Sequence, residues 1–180
     1  MSGRQVVLLR GINLGPNRRV AMPALRELLT GAGFEQVRTY VQSGNVVLSS
    51  ELAPDELERE CERLISAEFG FDVDVVARTR DQLAEVVARN PLGDVAENPK
   101  RYQVSFLADE LDPDRVEALA AAAVEPERFV ALGRELYAWH PAGVARSRLW
   151  AKLAGAGLGV KATARNWTTV TTLLAMADEA

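Results

Sequence analysis

The sequence predicts an α+β protein of two lobes built from ferredoxin-like βαββαβ elements, antiparallel sheets backed by helices, with further helices at the C-terminus. Three observations carry this. Short β-branched apolar runs and segments of helical periodicity follow one another in the order β-α-β-β-α-β through the first 79 residues. The stretch NPLGDVAENPK (90–100) has turn signals at both ends and reads as a connection between lobes. The second half then gives β-α-β-β-α, which partly repeats the first as an order of elements, with no internal sequence repeat detected. The expected organisation is a ferredoxin-like lobe at 1–79, a helix and connection at 80–100, and a second α+β lobe with C-terminal helices at 101–180.

QVVLLR (5–10) is a short β-branched run bounded by Gly11 and reads as a buried strand. Met22, Leu25, Leu28 and Leu29 fall at helical spacing, Pro23 suits a first turn, and Gly31 and Gly33 end the helix. VRTYVQ and NVVLSS flank Ser43-Gly44, which reads as a hairpin with a two-residue turn. Pro54 and Asp55 open a helix through Phe69, DVDVVAR (72–78) alternates as a strand, and 80–90 is helical. YQVSFL (102–107) predicts a strand, about 113–123 a helix, FVAL and ELYAWH two strands around Gly133, and about 147–154 and 164–177 two helices.

Composition excludes several classes. A chain of 180 residues with 48% apolar and 26% charged residues has enough core to fold without metal or disulfide. No apolar run reaches a membrane span, and MSGRQVVLLRG has no signal-peptide pattern, so a cytoplasmic location with no membrane partner is expected. The single Cys61 excludes an internal disulfide and a multi-cysteine zinc site. Its spacing from Leu57, Leu64 and Ile65 marks it as core. The acids of DELERECE read as a solvated helix face, and no D-x-D or E-x-x-H cluster is read as a metal site. No cofactor motif is legible, so no cofactor is expected.

Charge is uneven. Residues 1–26 hold Arg4, Arg10, Arg18, Arg19 and Arg26 with no acid, and residues 136–177 hold Arg146, Arg148, Lys152, Lys161 and Arg165 with no acid. With a net charge of −4, the remainder carries −14. The two ends would form one electropositive face if they meet in the fold.

Three stretches stand out. In LLRGINLGPNRRV (8–20), Arg10, Gly11, Asn13, Gly15 and Arg18 combine backbone freedom with cations, which suits an anion-binding concavity. The spacing is neither GxGxxG nor a P-loop, and an ordinary β–α connection is the competing reading. In VQSGN (41–45), Gln42, Ser43 and Asn45 sit on a tight turn, and Ser43 lacks a nucleophile elbow. In VKATARNWTTV (160–170), Thr163 or Asn166 suits a helix cap, and Lys161 and Arg165 flank it. There the alternatives are an anionic ligand and a structural salt bridge from Arg165. Trp167 shares a helical face with Val170, Leu174 and Ala177 and reads as core. His140, the only histidine, reads as a surface or packing residue rather than a catalytic one.

RGINLG, TYVQSGNVV and ATARNWTTV, in this order along essentially the whole chain, resemble the bacterial domain-of-unknown-function family 1697. The resemblance implies a two-lobed α+β protein of ferredoxin-like elements and brings no established activity. Where the family often has Gly-Lys-Asn, this chain reads Gly15-Pro16-Asn17-Arg18, which keeps a basic residue but changes the loop's stiffness.

The function expected from these readings is binding of an anionic, phosphate-bearing small ligand where the 10–19 loop meets a helix start at 161–169. Arg10 and Arg165 would clamp the anion as forks, and Asn13, Gln42, Asn45 and Asn166 would orient it. Nucleic-acid backbone binding by the same face ranks second, because the first-lobe strands lack stacking aromatics apart from Tyr40. An enzyme ranks last among active roles, since no base–nucleophile pair is legible. A structural role for the same arginines and asparagines is the remaining alternative. Oligomeric state is not legible.

Overall fold

In a computed structural model, which describes residues 2–154 and 156–179, the chain forms two four-stranded antiparallel sheets. Contacts divide it into two compact units, Met1–Glu85 with Leu173–Ala180, and Val86–Thr172.

The first unit contains β1 (Gly3–Leu9), α1 (Met22–Gly31), β2 (Glu35–Tyr40), β3 (Asn45–Ser50), α2 (Pro54–Phe69) and β4 (Val75–Thr79). Its strand order is β2-β3-β1-β4. Val7, Leu9, Val46, Leu48, Val75 and Ala77 face the helices and meet Leu25, Leu29, Leu57, Cys61 and Ile65. The opposite face, Val6, Leu8, Val47 and Val76, is buried as well. That is why β3 is apolar-rich and buried along its whole length instead of alternating.

Two sequence expectations change here. The hairpin between β2 and β3 has a four-residue connection, 41–44, because Tyr40 pairs directly with Asn45. Val41 and Gly44 both take left-handed backbone, with φ of 51° and 84°. The acids of α2 are not simply a solvated face. Glu58 is buried, and its carboxylate accepts the Ala77 N–H at 2.8 Å, while Glu62 accepts that of Val75 at 3.3 Å. β4 is an edge strand, and these two carboxylates, one helical turn apart, satisfy two of its outward donors. Cys61 is core, and burial pushes its thiol up to about 12.

α3 (Arg80–Arg89) leads into the second unit, which contains β5 (Tyr102–Leu107), α4 (Pro113–Ala122), β6 (Arg128–Leu132), β7 (Glu135–Trp139), α5 (Arg148–Ala154) and β8 (Ala162–Asn166). α6 (Trp167–Asp178) closes the chain. The strand order β6-β7-β5-β8 repeats that of the first unit. Leu107, Leu136, Ala138 and Ala162 pack against Leu119, Leu149 and Leu153.

The helix expected over 164–177 is therefore corrected. Residues 162–166 are a strand paired with β5, and the helix begins at Trp167. Alternation in Ala162-Thr163-Ala164-Arg165 suits an edge of the sheet, and Asn166 ends it by capping α6, its Oδ1 accepting the Thr169 N–H at 2.9 Å. Trp167 is half-buried and stacks on Tyr102 with ring centres 4.9 Å apart.

The strand β8 completes a second βαββαβ order and exposes a short internal repeat. Ala77-Arg78-Thr79 ends β4, and Ala164-Arg165-Asn166 ends β8. Arg78 lies opposite Val6, and Arg165 opposite Val104, each on the central strand of its sheet. The next residue caps a helix in both, since Thr79 Oγ1 accepts the Gln82 N–H. Among the described residues, no helix is long and apolar enough to cross a membrane.

Candidate functional site

The residues of the first two motifs meet at one end of the first sheet. β1 ends where Leu9 N–H donates to the Gly44 carbonyl at 2.9 Å, which brings the 10–20 loop onto the 41–44 turn. Asn13 organises the loop. Its backbone N–H donates to the Arg18 carbonyl, its Nδ2 donates to the carbonyls of Val20 and Gln42, and its Oδ1 accepts the Val20 N–H. It also takes a left-handed backbone, φ 56°, which asparagine tolerates better than most residues. Asn45 is fully buried, and its Nδ2 reaches the Tyr40 carbonyl and Ser43 Oγ. Asn13 and Asn45 thus hold the scaffold together.

Arg18 braces the same loop. Its Nε donates to the Gly11 carbonyl, its Nη2 to the Asp72 carbonyl at 2.6 Å, and its guanidinium lies 5.1 Å from the Phe71 ring centre. Arg10, Gly11, Arg18, Asp72 and Asp74 line a small pocket of about 320 Å³. Asp72 and Asp74 stand at D-x-D spacing on one wall of this pocket. Their charges balance the two arginines, so this pocket by itself has no strong preference for an anion.

The outer side of the loop differs. Leu14, Gly15, Asn17 and Arg19 are exposed. The backbone N–H groups of Leu14, Gly15 and Asn17 have no protein acceptor among the described residues. Arg19 makes one long bond, 3.4 Å, to the Gly15 carbonyl. Leu14 is 84% exposed and Val41 on the adjoining turn 51%.

Lys161, Arg165 and Asn166 belong to the second unit. Arg165 is 9% exposed, in a cross-strand row with Val104 and Tyr137. Its Nη1 donates to Thr163 Oγ1 at 2.7 Å and to the Ala164 carbonyl at 2.8 Å. Burial lowers its guanidinium to about 10, so it stays charged at neutral pH.

The second unit also holds a polar knot that local sequence did not signal, because its members come from separated segments. His140 is fully buried, with Nδ1 2.7 Å from Glu127 Oε2. Ser147 Oγ donates to the same oxygen at 2.6 Å and accepts the Trp150 N–H. Ser147 touches His140 only at Nδ1, 3.2 Å away, and Nε2 is buried without a partner. A serine–histidine relay uses the ring nitrogen that the carboxylate does not hold. The knot is therefore structural, and His140 packs edge-on to Trp150. Burial would raise the Glu127 carboxyl, but hydrogen bonds from Ser147, His140 and the Val124 N–H outweigh it and hold it below the usual carboxylate range.

A group depressed in the folded state stabilises above its unfolded value. That contribution disappears as pH falls through about 4.3 and then through the lower folded value. Glu127→Gln is expected to cost about 1–3 kcal/mol at pH 7. The gap between it and the parent chain should shrink toward pH 3, as measured by urea unfolding across that range. A gap independent of pH would sink the assignment.

A groove of the first unit, about 860 Å³, contains Glu60 paired with Arg63 at 2.6 Å and Glu56, which caps α2 by accepting the Ala53 N–H. Its lining carries Glu35, Glu51, Glu56 and Glu60 against Arg59 and Arg63, an acidic balance that disfavours an anion.

Fold and site together define an α+β protein made of two ferredoxin-like βαββαβ units, with a basic, glycine-containing loop at one sheet end. The family described as protein of unknown function (DUF1697) matches residues 2–137, and the chain belongs to it. A solved structure, the conserved bacterial protein SP0830 from Streptococcus pneumoniae, is similar over 99% of this chain and 100% of its own, with a TM-score of 0.79 and 22% identity. That likeness concerns the fold. No curated protein matches the chain.

Proposed function

We propose that the chain binds a phosphate-bearing anion on the outer side of the 10–19 loop of its first unit. The observation that carries this is the set of exposed, unpartnered backbone N–H groups at Leu14, Gly15 and Asn17 beside Arg19. Free backbone donors close together in one loop beside a guanidinium suit a phosphate, and a braced loop needs little reordering to accept one. Asn13, Arg18, Gln42 and Asn45 act as the brace, and Gly11 supplies the left-handed turn, φ 69°, that starts the loop. Arg10 adds positive charge behind it, offset in part by Asp72 and Asp74. Buried Arg165 is left to a structural role in its own sheet, and Asn166 to capping α6.

The test is calorimetric titration with inorganic phosphate, a nucleoside triphosphate and a short oligonucleotide at low salt. Arg19→Ala, an exposed position, is expected to weaken binding by roughly tenfold or more without altering the melting temperature. Absence of binding by all three probes would end the proposal. An oligonucleotide that binds with a steep salt slope, while the two small probes do not, would move the reading to nucleic-acid backbone.

A further inference from the structure

A second site lies in the other unit and is independent of the loop just described. Between the 124–127 turn and the 141–148 segment is a groove of about 790 Å³, within the size range of small-molecule sites. Its walls are apolar, Val124, Pro126, Ala142 and Ala145, and Val124 is 58% exposed. Two arginines, Arg146 and Arg148, stand with them, both exposed and neither in an ion pair or hydrogen bond among the described residues.

The carboxylates here are already engaged. Glu127 accepts from His140 and Ser147, and Glu125 pairs with Arg128 at 3.2 Å. Arg146 and Arg148 are therefore the charged groups of the groove whose hydrogen-bonding capacity is not already taken up by a partner among the described residues. An isolated arginine on a polar surface would carry no information. Two beside an apolar concavity select a ligand with an apolar body and an anionic end, because each part then meets its complement. The base of the groove is rigid, since the Glu127–His140–Ser147 knot ties both of its walls together.

We infer that this groove binds a small amphipathic carboxylate, a free molecule with an apolar tail or ring and a terminal carboxylate held by Arg146 and Arg148. The tail lies on Val124, Pro126, Ala142 and Ala145. The guanidinium forks take the carboxylate.

Octanoate is the probe, titrated into the full chain and followed by calorimetry, with 1-octanol, inorganic phosphate and anionic phospholipid vesicles as comparisons. Saturable one-to-one binding of octanoate is expected. The Arg146→Ala/Arg148→Ala double variant should weaken it about tenfold or more. Ala145→Trp, which fills the groove at an exposed position, should weaken it comparably, and 1-octanol should bind the parent no better than octanoate binds the double variant. Circular dichroism and melting temperature establish that each variant is folded. No saturable binding overturns the proposal, as does octanoate affinity unchanged in both variants. Inorganic phosphate that displaces octanoate from the Arg19→Ala chain at comparable affinity would mean the apolar walls contribute nothing, and vesicle binding without octanoate binding would mean a surface charge effect. Either overturns it. Arg19→Ala should leave octanoate binding intact, which separates this site from the loop of the first unit.

Discussion

Arg165→Ala is expected to lower the unfolding free energy by about 3 kcal/mol. The side chain is almost wholly enclosed and lies across from Val104, which itself faces Tyr137. Truncation removes a long buried stem and leaves a cavity, a loss of about 2–5 kcal/mol for large-to-small changes in a packed interior. It also strips Thr163 Oγ1 and the Ala164 carbonyl of their donor, at about 1 kcal/mol or more each. Relief of a desolvated charge offsets part of this, because burial holds the guanidinium down to about 10 while it remains protonated. The net sign is destabilising. Urea unfolding followed by tryptophan fluorescence measures it. A change below about 1 kcal/mol would contradict a structural role and return Arg165 to the list of ligand contacts.

Gly44→Ala should be comparably costly, about 3 kcal/mol, for a different reason. Gly44 has φ +84°, and a Cβ there would sit 2.6 Å from Leu9 Cβ and 3.1 Å from Ile12 Cδ1. Leu9 Cβ is fixed by β1 and cannot swing away. The left-handed backbone adds about 1 kcal/mol, and overpacking a rigid contact adds about 1–3. Gly11→Ala is the internal comparison. Gly11 has φ +69°, but nothing lies within 4 Å of its added Cβ, so only the backbone cost of about 1 kcal/mol applies. Thermal unfolding of the two variants side by side checks this, and equal losses would refute the steric argument. Because Gly44 also accepts the Leu9 N–H, its substitution should loosen the 10–20 loop and weaken any anion bound there.

Several features were legible in the chain without coordinates. Periodicity marked α2 at Pro54–Phe69 and β5 at Tyr102–Leu107 to the residue. Cys61 announced itself as core by its spacing among leucines, and Thr163 and Asn166 as cap candidates by their chemistry, of which Asn166 is the cap. β8 was not legible, because Ala-Thr-Ala-Arg-Asn has little apolar contrast and runs directly into a strong helical pattern. What makes it a strand is an open edge on β5, which no local signal reports. Glu58 and Glu62 failed for a related reason. Helical spacing says which residues share a face, but it cannot say that the face borders the unpaired edge of β4.

The candidate loop divides in the same way. Its glycines, asparagines and arginines were evident as types. Their roles were not, because a guanidinium that braces two carbonyls and one that faces solvent look alike in a sequence. Arg18 proved to be the brace and Arg19 the exposed cation. The Glu127–His140–Ser147 knot was invisible, its members being 13 and 7 residues apart along the chain.

The amino-acid order alone established the class of fold, most element positions and the two basic, acid-free ends, because hydrophobic period and turn chemistry act over a few residues. Tertiary structure alone decided which arginines are buried, which carboxylates are engaged and where uncompensated charge remains. Those properties depend on desolvation and on partners brought together by strand pairing across long stretches of chain, and the duplicated Ala-Arg-cap ending of β4 and β8 acquires meaning only once their equal registers are seen.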